Sequence, residues 1–161
     1  TCRDWSSDVC SSDLIGDRHN DNIMLQTNGK LFHVDFGHFL GHFLKKFGIE
    51  RETAPFVFTP QFAQILGGED SPMFKFFESL CIIAFHTIRR HADIFINLIL
   101  LMLSIGLPEL NSVQDVLYLR DHLMLNLSET DSAVSLLSLT RQSLKTTRTQ
   151  FNDLFHLLAN R

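Results

Sequence analysis

The sequence predicts a mainly α-helical chain that begins with a small β-hairpin. Three observations carry that expectation. Apolar residues recur at helical spacing through most of residues 59–159, punctuated by Gly, Pro and Ser/Thr boundaries. Two short alternating runs flank "TNGK" near the start, and Asn28-Gly29 suits the positive φ of a hairpin turn. The chain has 161 residues, 45% hydrophobic and 20% charged, enough to bury one modest core rather than stay unfolded.

The elements follow in order. Residues 1–14, rich in Ser and Asp, show neither period. From Ile15 the texture changes, and "IMLQTNGKLFHVDFG" contains the hairpin. Residues 37–58 hold three Gly and one Pro without a clear period and read as a long loop, of the kind more often functional than accidental. "TPQFAQIL" places Thr59 as N-cap and Pro60 at the first helical position, and Gly67-Gly68 ends that helix. A second helix restarts with Ser71 as cap and Pro72 in the first turn, with Phe74, Phe77, Cys81, Ile82 and Phe85 on one stripe. A third runs from about Ala92 to Ile105 and stops at Gly106-Leu107-Pro108. Ser112 caps "VQDVLYLRDHLM", and two further helices cover about Glu129–Lys145 and Thr147–Ala159. An isolated hairpin is marginal in water, so this one must pack on helices or on something outside the chain.

Composition excludes several classes. A net charge of −4 offers no basic field for nucleic acid. Cys2, Cys10 and Cys81 are too few and too scattered for a disulfide framework or a zinc site, which fits a reducing compartment. The most apolar run, "IFINLILLMLSIGL" at residues 94–107, is shorter than the roughly 20 residues of a membrane span and reads as a buried core helix. Residues 1–14 lack the pattern of a signal peptide. His33, His42, His86, His91, His122 and His156 read as core or surface residues, since His86 and His91 lie five apart, the wrong spacing for one helical face. Cys81 reads as a small buried hydrophobe and the Phe-rich stripe as core.

The chemistry sits at the two ends of the hairpin. "DRHNDN" supplies Asp17, Arg18, His19 and Asn22; "DFGH" supplies Asp35, Phe36, Gly37 and His38. A hairpin folds both ends to one side, so Asn22 and Asp35 can converge. An amide oxygen and a carboxylate are hard ligands suited to Mg²⁺. Asp17 and His19 are acid/base candidates for a hydroxyl. Metal and base together fit phosphoryl transfer, which depends on positioning and charge neutralisation. Each motif alone is common as a turn or surface cluster; their order around one hairpin makes them specific. The Asp17-to-Asn22 spacing equals that of Asp and Asn in the protein-kinase catalytic loop.

"IGDRHNDNIM…GKLFHVDFGHFLGHF" resembles the catalytic core of the phosphoinositide 3-kinases, lipid kinases distantly related to protein kinases. The Asp-Arg-His order inverts that of protein kinases, as in this family. The resemblance continues through "APFVFT", "RRHADIFINLILLML" and "GLPEL", and covers about residues 15–161. It implies the C-terminal lobe of a protein-kinase-like fold without its N-terminal lobe: catalytic loop, hairpin and activation loop at 15–58, helices at 59–161. It implies ATP and Mg²⁺ as cofactors, with Asn22 and Asp35 holding the metal. Asp17 and His19 act on the inositol 3-hydroxyl, the proton acceptor being either one. His38 contacts the transferring phosphate, and Arg18 is structural. Residues from Gly37 to about Phe58 form the activation loop that reads the headgroup.

His38 points to class I or class II within that superfamily, because 4-kinases usually carry Phe and class III 3-kinases Tyr at that place. Headgroup phosphates call for cations. Lys45 and Lys46 resemble part of the first basic cluster of class I; of the second cluster only Arg51 remains, between Glu50 and Glu52. "APFVFT", "GGEDSPMFKFFESLC" and "FNDLFHLLAN" resemble class II segments, and no Trp stands in the last helix region. The resulting expectation is a class II-like enzyme using phosphatidylinositol or its 4-phosphate. The alternatives are a class I enzyme using the 4,5-bisphosphate, and a non-catalytic pseudokinase scaffold. The partner is a phosphoinositide in a membrane surface, which Phe43, Leu44, Lys45 and Lys46 could meet, and not nucleic acid. Regulatory subunits or further domains stay open. The place is cytoplasmic, peripheral at plasma or endosomal membranes. A working kinase needs a phosphate loop, a strand lysine and a hinge that the family places upstream. The 161-residue polypeptide alone is therefore expected to be inactive.

"DWSSDVCSSDL", residues 4–14, resembles a translated sequencing adapter. Residues 1–14 are therefore set apart as non-native or disordered. They hold Arg3, Asp4, Asp8 and Asp13; without them 13 basic face 15 acidic residues, a net −2.

Overall fold

The computed structural model describes residues 23–27, 31–34, 40, 45–46, 49–50, 55–56, 58, 60–106, 110 and 112–145. Most of these residues are helical. Two short strands, β1 (Ile23–Leu25) and β2 (Leu31–His33), pair antiparallel with Ile23 opposite His33 and Leu25 opposite Leu31. The turn at Asn28-Gly29 lies outside the described residues. A second ladder, β3 (Lys45–Lys46) with β4 (Ile49–Glu50), pairs Lys45 with Glu50 and Lys46 with Ile49. It corrects the reading of residues 37–58 as an unbroken irregular loop. Two residues, one of them Gly48, separate its strands, a length and composition that suit a tight reversal.

Among the described residues five helices follow: α1 (Pro60–Ile65), α2 (Pro72–Arg90), α3 (Ala92–Leu103), α4 (Val113–His122) and α5 (Glu129–Lys145); the helix expected at about Thr147–Ala159 lies outside the described residues. Helix α1 opens on Pro60, whose fixed φ suits a first helical position; Thr59, its expected cap, lies outside the described residues. The chain leaves α1 through Gly67 at φ +87, where a Cβ would also come within 3.2 Å of the Ser71 Cβ. Ser71 then serves two helices. Its hydroxyl donates to the Leu66 carbonyl at 2.6 Å and accepts the Phe74 N–H at 3.0 Å, so the end of α1 and the start of α2 share one side chain. At α4 the Asp115 carboxylate accepts the Ser112 N–H at 3.0 Å, half of a capping box.

The core grows along one stripe of α2. Phe74, Phe77, Cys81 and Phe85 are buried, as their spacing predicts, and Leu119, Leu123, Leu136 and Leu144 close on them from α4, α5 and the corner between. Phe58 enters this stripe from outside the helices. Its ring stacks on Phe77 at 5.1 Å and lies 6.0 Å from Phe74 and 6.2 Å from Phe62.

The apolar run at residues 94–107 departs from its expected burial. It is helical through Leu103, but only Ala92 of α3 is buried. Ile96, Ile99 and Leu103 pack against the core, while Ile94 is 52% and Leu101 68% exposed. A helix apolar all round is a buried helix only when neighbours surround it. The core meets α3 along a single stripe, so the rest of its surface stays open. No helix among the described residues is long and apolar enough to cross a membrane.

Polar contacts lock α5 to α2 at two levels. Near the start of α5, Arg89 donates to Ser132 at 2.7 Å. Farther along, Arg141 grips Glu78 through Nε at 3.0 Å to Oε1 and a second nitrogen at 3.3 Å to Oε2.

Candidate active site

The site is built from the chain on either side of the β1–β2 ladder. The register puts Ile23 opposite His33 at its open end. Asn22 precedes Ile23 by one residue, and Asp35 follows His33 by two. Asp17, His19 and Asn22 lie outside the described residues, as do Asp35, His38 and Arg51. Lys45 and Lys46 are described as the backbone of β3, so of the residues assigned to the headgroup these two stand on a strand rather than in irregular chain. Among the described residues no group of three His, Cys, Asp or Glu could hold a metal ion. The donor set that the sequence puts forward, one amide oxygen and one carboxylate, suits a hard cation such as Mg²⁺.

One feature of the ladder escaped the sequence reading. Met24 and Phe32 are directly opposite one another and are 47% and 40% exposed. Cross-strand partners project on one face, so they form an apolar pair beside the motif-bearing end. Their alternation was visible in the sequence as a strand signal. That the exposed face is the apolar one was not.

Two described residues near the end of the 37–58 stretch are held firmly. Phe56 and Phe58 are both buried, Phe58 by ring stacking and Phe56 by a backbone contact. The Phe56 N–H donates to Ser143 Oγ at 2.9 Å, joining positions 87 apart in sequence. Nothing local in "RQSLK" marks Ser143 as a partner of that stretch; only the packing of α5 brings it there.

Two histidines elsewhere have hydrogen-bond partners within the helices. His86 Nε2 is 3.2 Å from Ser132 Oγ, and His122 Nδ1 is 2.8 Å from the Tyr118 carbonyl with the two rings stacked at 3.8 Å.

Comparison with known proteins follows from these motifs. The family model described as phosphatidylinositol 3- and 4-kinase matches residues 14–112. Phosphatidylinositol 3-kinase 1 of Dictyostelium discoideum is 47% identical over 146 residues, 91% of this chain and 9% of the relative. Phosphatidylinositol 3-kinase 3 of the same organism is 50% identical over 147 residues, with the same coverage. The human phosphatidylinositol 4-phosphate 3-kinase C2 domain-containing subunit beta is 44% identical over 147 residues, 90% of this chain and 9% of that protein. The chain thus spans about 9% of the length of the curated relatives it matches.

Proposed function

The chain belongs to the phosphatidylinositol 3- and 4-kinase family, and on that premise we propose that its parent protein transfers the γ-phosphoryl group of ATP to the 3-hydroxyl of phosphatidylinositol or phosphatidylinositol 4-phosphate. The observation that carries this reading is that "DRHNDN" and "DFGH" flank one antiparallel ladder in sequence, the first ending just before Ile23 and the second beginning two residues after its partner His33. The residues 15–161 form the C-terminal lobe of the kinase fold, with the catalytic elements at 15–58 and the helical support at 59–161. Residues 1–14 are foreign to it; the family match beginning at residue 14 supports that division.

Asn22 and Asp35 would hold Mg²⁺ through an amide oxygen and a carboxylate. The bound ion supplies charge neutralisation at the transferring group. Asp17 or His19 takes the proton from the attacking hydroxyl, and His38 contacts the phosphoryl group in flight. Met24 and Phe32 present an apolar surface on the same ladder, suited to a planar base or to the wall of a second lobe. Lys45, Lys46 and Arg51 pair with headgroup phosphate while the loop rests on an anionic leaflet. The setting is cytoplasmic, at the surface of a plasma or endosomal membrane, and Arg18 supports the loop.

The choice of lipid rests on the loop. Lys45-Lys46 and the single Arg51 between two glutamates supply less positive charge than a bisphosphate calls for, which favours the less phosphorylated headgroups. The class I reading stays as the alternative because Lys45 and Lys46 resemble part of the first basic cluster of that class. The test is a headgroup assay on the full-length parent protein, with ATP and vesicles carrying phosphatidylinositol, its 4-phosphate or its 4,5-bisphosphate. Product from the first two is the expected result. Product mainly from the bisphosphate selects the class I reading, and transfer to none selects a pseudokinase scaffold.

A further inference from the structure

The β3–β4 ladder sets charges against each other that sequence order keeps apart. Its register pairs Lys45 with Glu50 and Lys46 with Ile49. Along the chain, Glu50 is the neighbour of Arg51 and stands five residues from Lys45. Across the ladder, it is the partner of Lys45. Partners in an antiparallel ladder have Cα atoms about 5 Å apart, and successive positions alternate between the two faces. Lys45 and Glu50 therefore share one face of this hairpin, and Lys46 and Ile49 the other.

The two faces differ in charge. One holds a cationic and an anionic position, the other a cationic and an apolar one. Opposite charges placed across a ladder attract each other. Their backbone separation of about 5 Å lies inside the screening length of about 8 Å at physiological ionic strength. Register alone therefore couples the two charges, without need of one particular side-chain geometry.

Such a coupling discriminates among anionic ligands. A phosphate that takes Lys45 competes with Glu50 for it and is repelled by that carboxylate. The repulsion grows with the charge of the ligand, so a bisphosphate meets more of it than a monophosphate. Cations alone rank the bisphosphate higher; a carboxylate among them opposes that ranking.

We propose that Glu50 is a specificity-determining residue of the headgroup stretch: from its place across the ladder from Lys45, its charge offsets that lysine and biases the hairpin toward phosphatidylinositol 4-phosphate and against the 4,5-bisphosphate. This inference rests on the reading of residues 37–58 as the headgroup stretch. It requires no contact between Glu50 and the lipid.

The experiment uses the full-length parent enzyme carrying Glu50→Gln, Glu50→Asp, Glu52→Gln, Lys45→Met, or Lys45→Met with Glu50→Gln. The ratio of kcat/KM for phosphatidylinositol 4,5-bisphosphate to that for the 4-phosphate is measured on phosphatidylcholine vesicles. Glu50→Gln is expected to raise this ratio about five-fold, the scale of one cross-strand charge pair. Glu50→Asp keeps the charge and the wild-type ratio. Glu52→Gln removes an equal charge outside the β3–β4 pairs and should move the ratio less than about two-fold. In the Lys45→Met background the effect of Glu50→Gln should vanish. If Glu50→Gln does not fold, Glu50→Thr, neutral and favoured in strands, takes its place. An unmoved ratio in the neutral variant overturns the proposal. So does a shift that persists without Lys45, or one that Glu52→Gln reproduces. A wild-type parent that phosphorylates no phosphoinositide sinks the proposed function instead. In that case equilibrium binding to the same two vesicle types is compared, and an unchanged preference in Glu50→Gln still overturns the role of Glu50.

Discussion

Arg89 donates to the hydroxyl of Ser132 at 2.7 Å, and the same guanidinium takes the carbonyls of Leu123, Met124 and Leu127 at 2.7–2.9 Å. One planar group thus gathers the corner between α4 and α5, where Met124 adopts φ +51. Backbone carbonyls at a helix end need donors, and here a single side chain supplies them to three. Arg89 also lies 5.9 Å from the Phe85 ring centre, so the clamp is tied to the core stripe.

Arg89→Ala should therefore destabilise the domain by about 2–4 kcal/mol, since several hydrogen bonds to a charged donor vanish together. Arg89→Lys should recover only part of this, because an ammonium cannot reproduce the planar fork. Chemical denaturation of the parent protein or its kinase domain checks both. Equal stability of Lys and wild type would refute the fork argument.

Glu78 and Arg141 should be coupled. The Glu78 side chain is 8% exposed and that of Arg141 56%, so water screens the pair from one side. Arg141→Ala leaves a buried carboxylate short of its partner, whereas Glu78→Gln with Arg141→Ala removes the charge as well. The double variant should be less destabilised than the two single effects summed, with a coupling of about 0.5–2 kcal/mol. Additivity in a denaturation cycle would mean that the ion pair contributes nothing.

Asp35→Ala in the full-length enzyme should abolish lipid phosphorylation. The carboxylate is the anionic member of the proposed Mg²⁺ ligand pair, and its loss removes charge neutralisation at the transferring phosphate. Titration of activity with Mg²⁺ should not restore turnover. Activity near wild type would sink the metal-site assignment.

Lys45→Glu with Lys46→Glu should weaken binding of the full enzyme to vesicles containing anionic lipid, each basic residue near a leaflet contributing about 1 kcal/mol. The effect should shrink as ionic strength rises. Sedimentation with vesicles at low and high salt measures it, and unaltered binding at low salt would count against the loop as a membrane contact.

Helical elements were legible wherever local chemistry decides. Ser71-Pro72 starts a helix because Ser71 accepts the Phe74 N–H and Pro72 needs no donor. The bounds of α5, Glu129 to Lys145, match the expected ones. Phe74, Phe77, Cys81 and Phe85 are buried on the predicted stripe, because period alone puts them on one face. Less was legible where partners matter. Residues 94–107 carry the strongest apolar signal and gave the wrong burial, since hydropathy says that a surface seeks cover and not whether cover is present. The β3–β4 ladder was missed because two-residue strands are too short to show a period.

The sequence by itself pointed to the family, through the resemblance carried by two motifs at the ends of one expected hairpin, and determined the helices, through caps and periodicity that act within a few residues. Only the tertiary structure decided that Ser143 holds Phe56, that Arg89 gathers the α4–α5 corner, that Arg141 reaches Glu78, and which face of α3 stays open. Those relations join positions 34 to 87 residues apart. No local preference encodes them: they exist because a packed core brings distant groups within 3 Å of each other and excludes the water that would otherwise satisfy them.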